Sequence, residues 1–377
     1  MIGQIVRRGP RTWLVRIPMG RRATGTRAYH NRTIQGTKRD AQRYLTQTLR
    51  ELDTGTFVEA SPKILAAWLN EWLQNTVRTR LRSKTFSDYQ SLSSRYLVPE
   101  IGHRKLSQLG PAEIQKLYTD MQDRGLSPRT VRYAHSVLHG ALEQAVKWNL
   151  IARNPCKMVN LPRLERKEMH SLTAEQVTRF LQAARGTRFE VLWTLLVTTG
   201  LRPGEALGLK FEDLDLETGR LRVQRALVWQ GDGNWQLLEP KTAKARRVIS
   251  LPSTTIRALR SQRVRQAEDQ LSAGEDWMDM DLVFTTRLGG PLEYRVLVRR
   301  FFKPLISLAS LPAIRPYDLR HTCATLLLGM GANVKVVSER LGHASAALTL
   351  DVYSHVLPDM QQQAAEGLEN LLFSAAQ

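Results

Sequence analysis

The chain has 377 residues and a formal net charge of +20, so it is long enough for two or three domains and basic enough to indicate a polyanionic partner. The charge is uneven, with a net of +18 over residues 1–167 and of only +2 over residues 168–377. We find no long apolar face beside this basic region, so nucleic acid is favoured over an anionic membrane as the partner.

The first 60 residues are predicted to form a small module of strands and one helix. Trp13–Ile17 is expected to form a short strand that the next residue, a proline, ends. Arg27–Ile34 is a second strand candidate. Apolar residues at helical spacing begin at Thr37, and Gly55 ends that helix. Twelve basic residues against four acidic ones indicate that this small module is a binding attachment.

Residues 61–165 are predicted to be entirely helical and to form a compact, basic bundle of four helices. Pro62, Pro111 and Pro128 are each expected to begin a helix, because each follows Ser or Gly. Proline suits the first helical position after such a cap residue. Two prolines and a run of charge between Asn154 and Lys167 indicate a linker between domains.

Residues 166–377 are predicted to form a mostly α domain with a small antiparallel sheet. The segment Thr173–Gln176 reads as a capping box that begins the first helix. Gly231–Gly233 is predicted to be a turn within the sheet, and helical patterns return after Leu292. Three strands are expected between the helical regions: Leu221–Val228, Trp235–Glu239 and Arg247–Leu251. The predicted fold class is therefore a multidomain α+β protein.

No segment of the sequence predicts export or membrane insertion. Met1–Gly9 lacks the apolar region of a secretory signal. The most apolar stretch, Val191–Leu201, is too short and too rich in threonine to span a bilayer. We therefore expect a soluble, cytoplasmic protein.

Two arginines lie in motifs that suit the binding of a phosphate group. Arg202 lies in a Thr-Gly-Leu-Arg-Pro-Gly-Glu segment after an apolar helix, and Arg320 lies in Tyr-Asp-Leu-Arg-His-Thr. Guanidinium groups bind non-bridging phosphate oxygens through two parallel N–H donors. Glu205, three residues after Arg202, can hold its guanidinium in place. A lone arginine is more often an exposed surface residue, so each motif alone is a moderate signal.

Three aromatic or imidazole residues accompany these arginines. His343 is expected at a turn, Tyr353 follows ten residues later, and Tyr317 lies three residues before Arg320 on the same helix face. A structural histidine and a buried core tyrosine are the ordinary alternatives for His343 and Tyr353. A phenol can also serve as a covalent nucleophile. The joint occurrence in this order indicates chemistry on a phosphodiester.

Lys241 is expected on the turn between the second and third strands. A solvated hairpin lysine is the ordinary interpretation, but a lysine at a mobile tip can enter a site and protonate a leaving alkoxide. Asp318 and His321 are weaker candidates, and Asp318 can instead cap its helix. Three nearby basic residues are interpreted as phosphate contacts or exposed charge: Lys244, Arg246 and Arg247.

The sequence contains no pattern that predicts a metal or nucleotide site. Cys156 and Cys323 are far apart and form no Cys-x-x-Cys pair. His135 and His139 have helical spacing, but no glutamate follows His135 and no third ligand is evident. A phosphate-binding glycine loop and the acidic cluster of a two-metal nuclease are also missing from the sequence. We therefore expect metal-free catalysis without a cofactor.

The combined motifs resemble the tyrosine recombinases, specifically the integrases of phages and mobile elements, over essentially the whole chain. One position departs from the family pattern, which most often has histidine where this chain has Tyr317. A tyrosine can still hydrogen-bond a phosphate oxygen, but it offers no imidazole for proton transfer. The resemblance implies six catalytic residues: Arg202, Lys241, Tyr317, Arg320, His343 and Tyr353.

The resemblance also implies a mechanism and a role for each domain. Residues 1–60 would bind arm-type DNA sites through three strands and a helix, residues 61–165 would bind the core site, and residues 166–377 would be catalytic. Tyr353 would form a 3′-phosphotyrosyl link while Lys241 protonates the departing 5′-oxygen. The expected partners are double-stranded DNA at core and arm attachment sites and three further copies in a tetramer. An excisionase and a host DNA-bending protein are candidate accessory partners.

Two other functions stay open from the sequence. A type IB topoisomerase uses the same chemistry and relaxes supercoils without exchanging strands, but the N-terminal module favours an integrase. A DNA-binding regulator without catalysis could keep the same fold. The complete set of Arg202, Lys241, Arg320 and Tyr353 argues against it.

Overall fold

The structure, a computed structural model, separates into two compact units, Met1–Glu165 and Arg166–Gln377. Each unit contains its own apolar core, and the two are described separately below. The described residues are 3–21, 26–55, 57–58, 61–165, 170–231, 234–240, 245–353, 365–366, 368–369 and 372–373.

The first unit begins with three antiparallel strands in the order β1-β2-β3. The residue pattern predicted β2 and β3 but not β1, and only the resemblance implied a third strand. Every residue of β1 is exposed or half-buried, so its apolar alternation is weak. The prediction that a strand ends at Pro18 is wrong. The strand continues because the pairing register shifts between Pro18 and Arg21, and such an irregularity accommodates a residue without an amide donor. The strands are β1 (Gln4–Gly9), β2 (Thr12–Arg21) and β3 (Arg27–Gln35).

A single helix, Lys38–Asp53, packs on this sheet. It begins as predicted, because the Thr37 hydroxyl accepts from the Asp40 amide and the Asp40 carboxylate accepts from the Thr37 amide. Gly55, just after the helix, has φ of +66°, a conformation that glycine adopts without steric cost. The buried apolar residues between sheet and helix are few: Val15, Ile17, Ala41 and Leu45.

The rest of the first unit is a bundle of four helical stretches, as predicted. Trp68 is fully buried at its centre and donates its indole N–H to the Ala141 carbonyl at 2.9 Å. Two of the stretches contain a π-helical turn, and short 3₁₀ turns lie at Leu106–Gln108 and Pro155–Met158. The stretches are Leu65–Trp72 with Leu73–Val77 and Arg78–Arg80; Ser83–Leu92 with Ser93–Leu97 and Val98–Ile101; Pro111–Asp123; and Pro128–Lys147.

Two of the three proline-led helix starts are confirmed. Gly110 and Ser127 are the cap residues before Pro111 and Pro128. The predicted start at Pro62 is wrong, because the helix begins three residues later, at Leu65. Ile64 and Lys105 form an isolated β-bridge, and this pairing keeps the backbone extended up to the helix.

The second unit is mostly helical, and its core contains large apolar side chains such as Phe180, Trp193 and Phe302. Its first helix begins at the predicted capping box of Thr173 and Gln176. Short 3₁₀ turns are at Phe211–Asp213 and Gly274–Asp276. The helices are Ala174–Ala184; Glu190–Thr199; Pro203–Leu207; Ser253–Ala273; Tyr294–Leu297 with π-helical Val298–Phe302 and Lys303–Leu308; Asp318–Gly329; Val334–Leu341; and Ala346–Tyr353.

Two small antiparallel sheets lie within this unit. One has the order β4-β5-β8 and the other is the hairpin β6-β7. The third predicted strand matches β8 closely. Of the predicted turn Gly231–Gly233, the structure describes only Gly231, because residues 232–233 lie outside the described residues. The strands are β4 (Leu214–Asp215), β5 (Arg220–Val223), β6 (Ala226–Gly231), β7 (Asn234–Leu238) and β8 (Arg247–Ser250).

The predicted continuous strand Leu221–Val228 is two strands in different sheets. Between them, Arg225 donates to the carboxylates of Asp213 at 2.6 Å and of Glu212 at 2.9 Å. The backbone of the second strand then packs on Gly208, where an added Cβ would lie 2.7 Å from the Leu227 nitrogen. These contacts with preceding segments redirect the chain. The alternation of apolar residues does not reveal them, so it predicts one strand where the structure has two.

The fold class predicted from the sequence is confirmed by this architecture, a multidomain α+β chain with a mostly α second unit. Across the described residues, none of the helices has the length and apolar character that crossing a membrane requires.

Candidate active site

Arg320 is almost completely buried, with 1 % of its surface exposed. Its Nη1 donates to the Gly200 carbonyl at 2.7 Å and its Nη2 to the Leu341 carbonyl at 2.6 Å. These carbonyls lie at the ends of two helices, where backbone acceptors lack helical partners. The Nε group is buried and has no partner among the residues that the structure describes. The guanidinium is therefore fixed in place with donor capacity left over.

Burial and the nearby charge of Arg202 lower the pKa of Arg320 to about 10, so its guanidinium stays charged at neutral pH. Gly200 makes the close approach possible. It has φ of +67°, and an added Cβ would lie 2.6 Å from Leu341 Cδ2. A cation held in a dry environment by backbone dipoles can bind an anion strongly.

Arg202 is at the N-cap position of the Pro203–Leu207 helix, and its side chain is 36 % exposed. Its Nη1 donates to Glu205 Oε1 at 2.7 Å, and its amide donates to Glu205 Oε2 at 3.0 Å. The partnership between Arg202 and Glu205 expected from their spacing is present. One edge of the guanidinium is thus held while the rest faces solvent.

Arg247 is not the exposed charge that the sequence allowed as one interpretation. Its side chain is only 6 % exposed, and its Nη2 donates to Glu205 Oε2 at 2.8 Å. Its Nε donates to the Arg340 carbonyl at 2.6 Å. Burial acts to raise the pKa of Glu205, but the hydrogen bonds and charges of Arg247 and Arg202 hold that pKa below its ordinary value. The anion therefore stays charged between two arginines.

The basic residues that precede Arg247 in the chain are not part of this buried ion pair in the described structure. Arg246 is exposed and pairs with Glu239, as expected for surface charge. Lys241, the predicted proton donor, and Lys244 lie outside the described residues.

His343 follows Gly342, whose φ of +67° ends the Val334–Leu341 helix. The His343 Nδ1 atom is 2.8 Å from the Thr349 hydroxyl, and Thr349 is fully buried. Burial and the charges of Arg320 and Arg202 lower the pKa of His343 to about 4. The imidazole is therefore neutral at pH 7, with Nε2 as its second ring nitrogen.

Tyr353, the predicted nucleophile, is 1 % exposed near the end of the described Ala346–Tyr353 helix. Its hydroxyl lies 2.8 Å from His321 Nδ1. Burial raises the pKa of Tyr353, and the nearby charge of Arg320 offsets part of that rise. The phenol is thus protonated at neutral pH and must lose its proton to act as a nucleophile.

Tyr317 precedes the Asp318–Gly329 helix and is 37 % exposed. Its ring packs edge-on against His321 with the centroids 5.3 Å apart. Asp318 is buried and accepts from the Arg315 amide at 2.7 Å and from its Nη2 at 2.9 Å. It therefore holds the turn before the helix. His321, a weaker candidate by sequence, is the residue that contacts Tyr353.

The structure brings five of the six predicted residues into one electrostatic environment. The pKa of Arg320 responds to Arg202 and Tyr317, and the pKa of His343 responds to Arg320 and Arg202. The pKa of Tyr353 responds to Arg320 and Tyr317. Two arginines, a neutral imidazole, a half-exposed phenol and a buried phenol can together bind a phosphodiester and attack it.

His135 has an ordinary structural contact. Its Nδ1 lies 3.0 Å from the Tyr118 hydroxyl, and the ring of His139 is 5.5 Å away. Within the described ranges, no group of three or more His, Cys, Asp or Glu residues is arranged to hold a metal ion.

Sequence comparisons identify the family. The profile of the phage integrase family matches residues 170–360, a little over half of the chain. The chain belongs to the phage integrase family. The profile of the phage integrase N-terminal SAM-like domain matches residues 64–122. The protein is accordingly a tyrosine recombinase, an enzyme that cuts and rejoins DNA in site-specific recombination.

Curated relatives of this integrase match most of its length. A tyrosine recombinase XerC-like protein of Caldanaerobacter subterraneus subsp. tengcongensis is 30 % identical over 384 residues, which covers 97 % of this chain and 98 % of that protein. The ICEBs1 integrase of Bacillus subtilis (strain 168) is 28 % identical over 292 residues, which covers 77 % of this chain and 76 % of that protein.

Solved structures share the fold. The Tn1549 transposon integrase in complex with a circular intermediate DNA superposes with a TM-score of 0.69 at 21 % identity, over 81 % of this chain and 99 % of that one. A lambda integrase dimer bound to a COC′ core site gives a TM-score of 0.59 at 18 % identity, over 93 % and 94 % of the two chains. At these identities the likeness concerns the fold alone.

Proposed function

We propose that this integrase recombines DNA through Tyr353, whose hydroxyl attacks the scissile phosphorus to give a 3′-phosphotyrosyl link and a free 5′-hydroxyl. The observation that carries the proposal is the position of Tyr353. Its hydroxyl is held 2.8 Å from an imidazole on the same helix as the buried Arg320. A nucleophile within hydrogen-bond reach of a proton acceptor is the arrangement that covalent catalysis requires.

Arg202 and Arg320 stabilise the negative charge on the non-bridging oxygens. Glu205 fixes Arg202 and two carbonyls fix Arg320, so little reorganisation is needed when charge develops in the transition state. His343 is neutral and donates a hydrogen bond to the phosphate from Nε2, while Thr349 holds Nδ1. The half-exposed Tyr317 donates a further hydrogen bond to a phosphate oxygen.

Lys241 protonates the departing 5′-oxygen. Its place in the sequence, before strand β8 and within six residues of Arg247, supports that role. A 5′-hydroxyl of the partner strand then attacks the phosphotyrosine and releases Tyr353. The energy of the phosphodiester is kept in the covalent link, so the reaction uses no ATP and no cofactor.

The chain divides the work of DNA binding among three domains. Residues 61–165 bind the core site together with the catalytic residues 166–377, and residues 1–60 bind separate arm sites. The support is the net charge of +18 over residues 1–167 and the match of residues 64–122 to an integrase N-terminal domain. Binding through phosphates makes the affinity fall steeply with salt.

The enzyme acts as a homotetramer on two attachment sites and integrates or excises a phage or other mobile element. The lambda integrase tetramer bound to a Holliday junction shares the fold, with a TM-score of 0.55. An excisionase and a host DNA-bending protein set the direction of the reaction. Its DNA substrate places its action in the cytoplasm, on the nucleoid.

The Tyr353→Phe variant tests the proposal, since it loses only the nucleophilic hydroxyl. A suicide substrate nicked beside the cleavage position should trap wild type as an SDS-resistant adduct, while Tyr353→Phe binds the DNA equally and gives no adduct. Tyr294→Phe removes a hydroxyl elsewhere in the same unit and should still give the adduct. An adduct in the Tyr353→Phe reaction would show that the nucleophile is another residue.

A further inference from the structure

The proposed mechanism leaves the proton of Tyr353 without a destination. The phenol is buried and its pKa is raised, so a base must take the proton as the oxygen attacks phosphorus. Tyr317, whose ring packs on that of His321, offers a hydroxyl and no imidazole. The site therefore needs a proton acceptor from another position.

His321 meets the geometric requirement. Its Nδ1 lies 2.8 Å from the Tyr353 hydroxyl, within the range for direct proton transfer. Within the described chain, this is the hydroxyl's one hydrogen-bond partner. His321 lies four residues after Tyr317 on the same helix, so the two side chains share a face and their rings pack 5.3 Å apart.

The other groups in the described site that could accept a proton are bound by arginines or have a low pKa. The carboxylate of Glu205 is bound by Arg202 and Arg247, and that of Asp318 is bound by Arg315. The pKa of His343, at about 4, makes it a poor proton acceptor. His321 is the remaining imidazole.

We propose that His321 is the general base of cleavage and the general acid of religation, a role that rests on Tyr353 being the nucleophile. In cleavage the Tyr353 O–H bond breaks and the proton passes to His321 Nδ1. The Oη–P bond forms and the P–O5′ bond breaks, and the departing oxygen takes a proton from the general acid. In religation the attacking 5′-hydroxyl gives its proton back to the group that protonated it in cleavage, while the P–O5′ bond forms and the Oη–P bond breaks. The imidazolium returns its proton to the departing Tyr353 oxygen, so His321 ends neutral.

The electrostatic surroundings keep the His321 imidazole neutral, which is the form that accepts a proton. Burial lowers its pKa, Arg320 and Arg315 lower it further, and Asp318 opposes them. The imidazole is thus neutral at pH 7 and ready to accept a proton. The titratable and charged groups that face it are on its own helix, the preceding turn, the His343 turn and the Ala346–Tyr353 helix: Tyr317, Asp318, Arg320, Arg315, His343 and Tyr353.

The first test compares His321→Asn with wild type in single-turnover cleavage of the suicide substrate. Asparagine keeps a hydrogen-bonding group near the Tyr353 hydroxyl but cannot accept a proton. Cleavage should slow by roughly 10²- to 10⁴-fold with DNA binding unchanged, as expected for the loss of a general base. A His321→Asn variant that cleaves within threefold of wild type would overturn the proposal.

The pH dependence separates a base from a positioning side chain. Wild-type cleavage should slow as the pH falls through the His321 pKa, which lies below the ordinary value of 6.5, because the imidazole becomes protonated. Tyr317→Phe should keep this acidic limb, and His321→Asn should lose it. The rate of religation from the isolated covalent complex should have the opposite pH dependence and fall as the pH rises. An acidic limb retained in His321→Asn would assign His321 a structural role only.

Chemical rescue provides a second measurement if His321→Asn is distorted. Free imidazole should speed cleavage by His321→Ala and leave Tyr353→Phe inactive. If imidazole does not speed cleavage by a His321→Ala variant that binds DNA like wild type, the proposal that His321 is the general base is wrong. An adduct that forms in Tyr353→Phe would instead refute the proposed nucleophile, so the two failures are distinguishable.

Discussion

Arg247 and Glu205 form a two-point ion pair that is almost wholly buried, with N–O distances of 2.8 and 3.3 Å. The same carboxylate holds Arg202, so one anion connects a buried arginine with the half-exposed arginine that is the proposed phosphate ligand. Arg247 also donates to the Arg340 carbonyl, just before the turn that carries His343. Arg247 therefore supports both sides of the proposed phosphate site, although its own side chain is buried.

We expect Arg247→Met to destabilise the second unit by about 1–3 kcal/mol, because the buried carboxylate of Glu205 loses its Arg247 donors and keeps only Arg202 as an ion-pair partner. Cleavage should slow as well, since Arg202 loses a firmly placed Glu205. The midpoint of urea unfolding and the single-turnover cleavage rate measure both effects. Arg246→Met is the matched control, because Arg246 is exposed and pairs with an exposed Glu239. Equal midpoints for the two variants would contradict the structural role of Arg247.

Tyr317 is expected to act as a hydrogen-bond donor to the phosphate. Tyr317→Phe should slow cleavage on the order of 10²-fold, which is typical for the loss of one donor to a developing oxyanion. Tyr317→His should retain activity because imidazole can replace the donor. Single-turnover rates on the suicide substrate provide the comparison. If the Phe variant is as fast as wild type, Tyr317 is structural.

The depressed pKa of His343 predicts that stability falls on acidification. The unfolded chain binds a proton to this histidine below about pH 6.5, whereas the folded chain does so only near pH 4. Stability from this group is therefore present above the unfolded pKa and is lost as the pH falls towards the folded pKa. The difference in unfolding midpoint between wild type and His343→Gln should change over this window. A difference that is independent of pH would contradict the prediction.

Deleting residues 1–60 should leave cleavage of a core site intact and abolish binding to separate arm sites. Integration should fail as well, because binding two sites at once raises the effective concentration of the second. Gel-shift assays with each site and an integration assay with residues 61–377 test these outcomes. Unchanged integration by the truncated enzyme would refute the assignment of the N-terminal module.

The sequence predicted the features that depend on local patterns. Thr37 and Thr173 begin helices through capping contacts with the residue three positions later, and both starts are confirmed. The site motifs were found because each lies in a short run at a helix end. Their proposed catalytic roles stay predictions until the variants are measured.

The features that the sequence did not reveal depend on contacts between distant segments. Arg247 is buried because it meets a carboxylate 42 residues earlier in the chain, which no neighbouring residue signals. His321 and Tyr353 are 32 residues apart and meet only when two helices pack. The one local indication of His321 is its four-residue spacing from Tyr317, because this spacing places both side chains on the same face of the helix.

The two carbonyl partners of Arg320 have a consequence for the safety of the genome that hosts this enzyme. The Gly200 carbonyl is 120 residues before Arg320 in the chain, and the Leu341 carbonyl is 21 residues after it. The arginine is oriented only when both helix ends have reached it, so fragments from synthesis or proteolysis that lack either segment cannot assemble the proposed phosphate site. A DNA-cutting activity that first exists in the complete fold leaves unfinished chains unable to nick a chromosome.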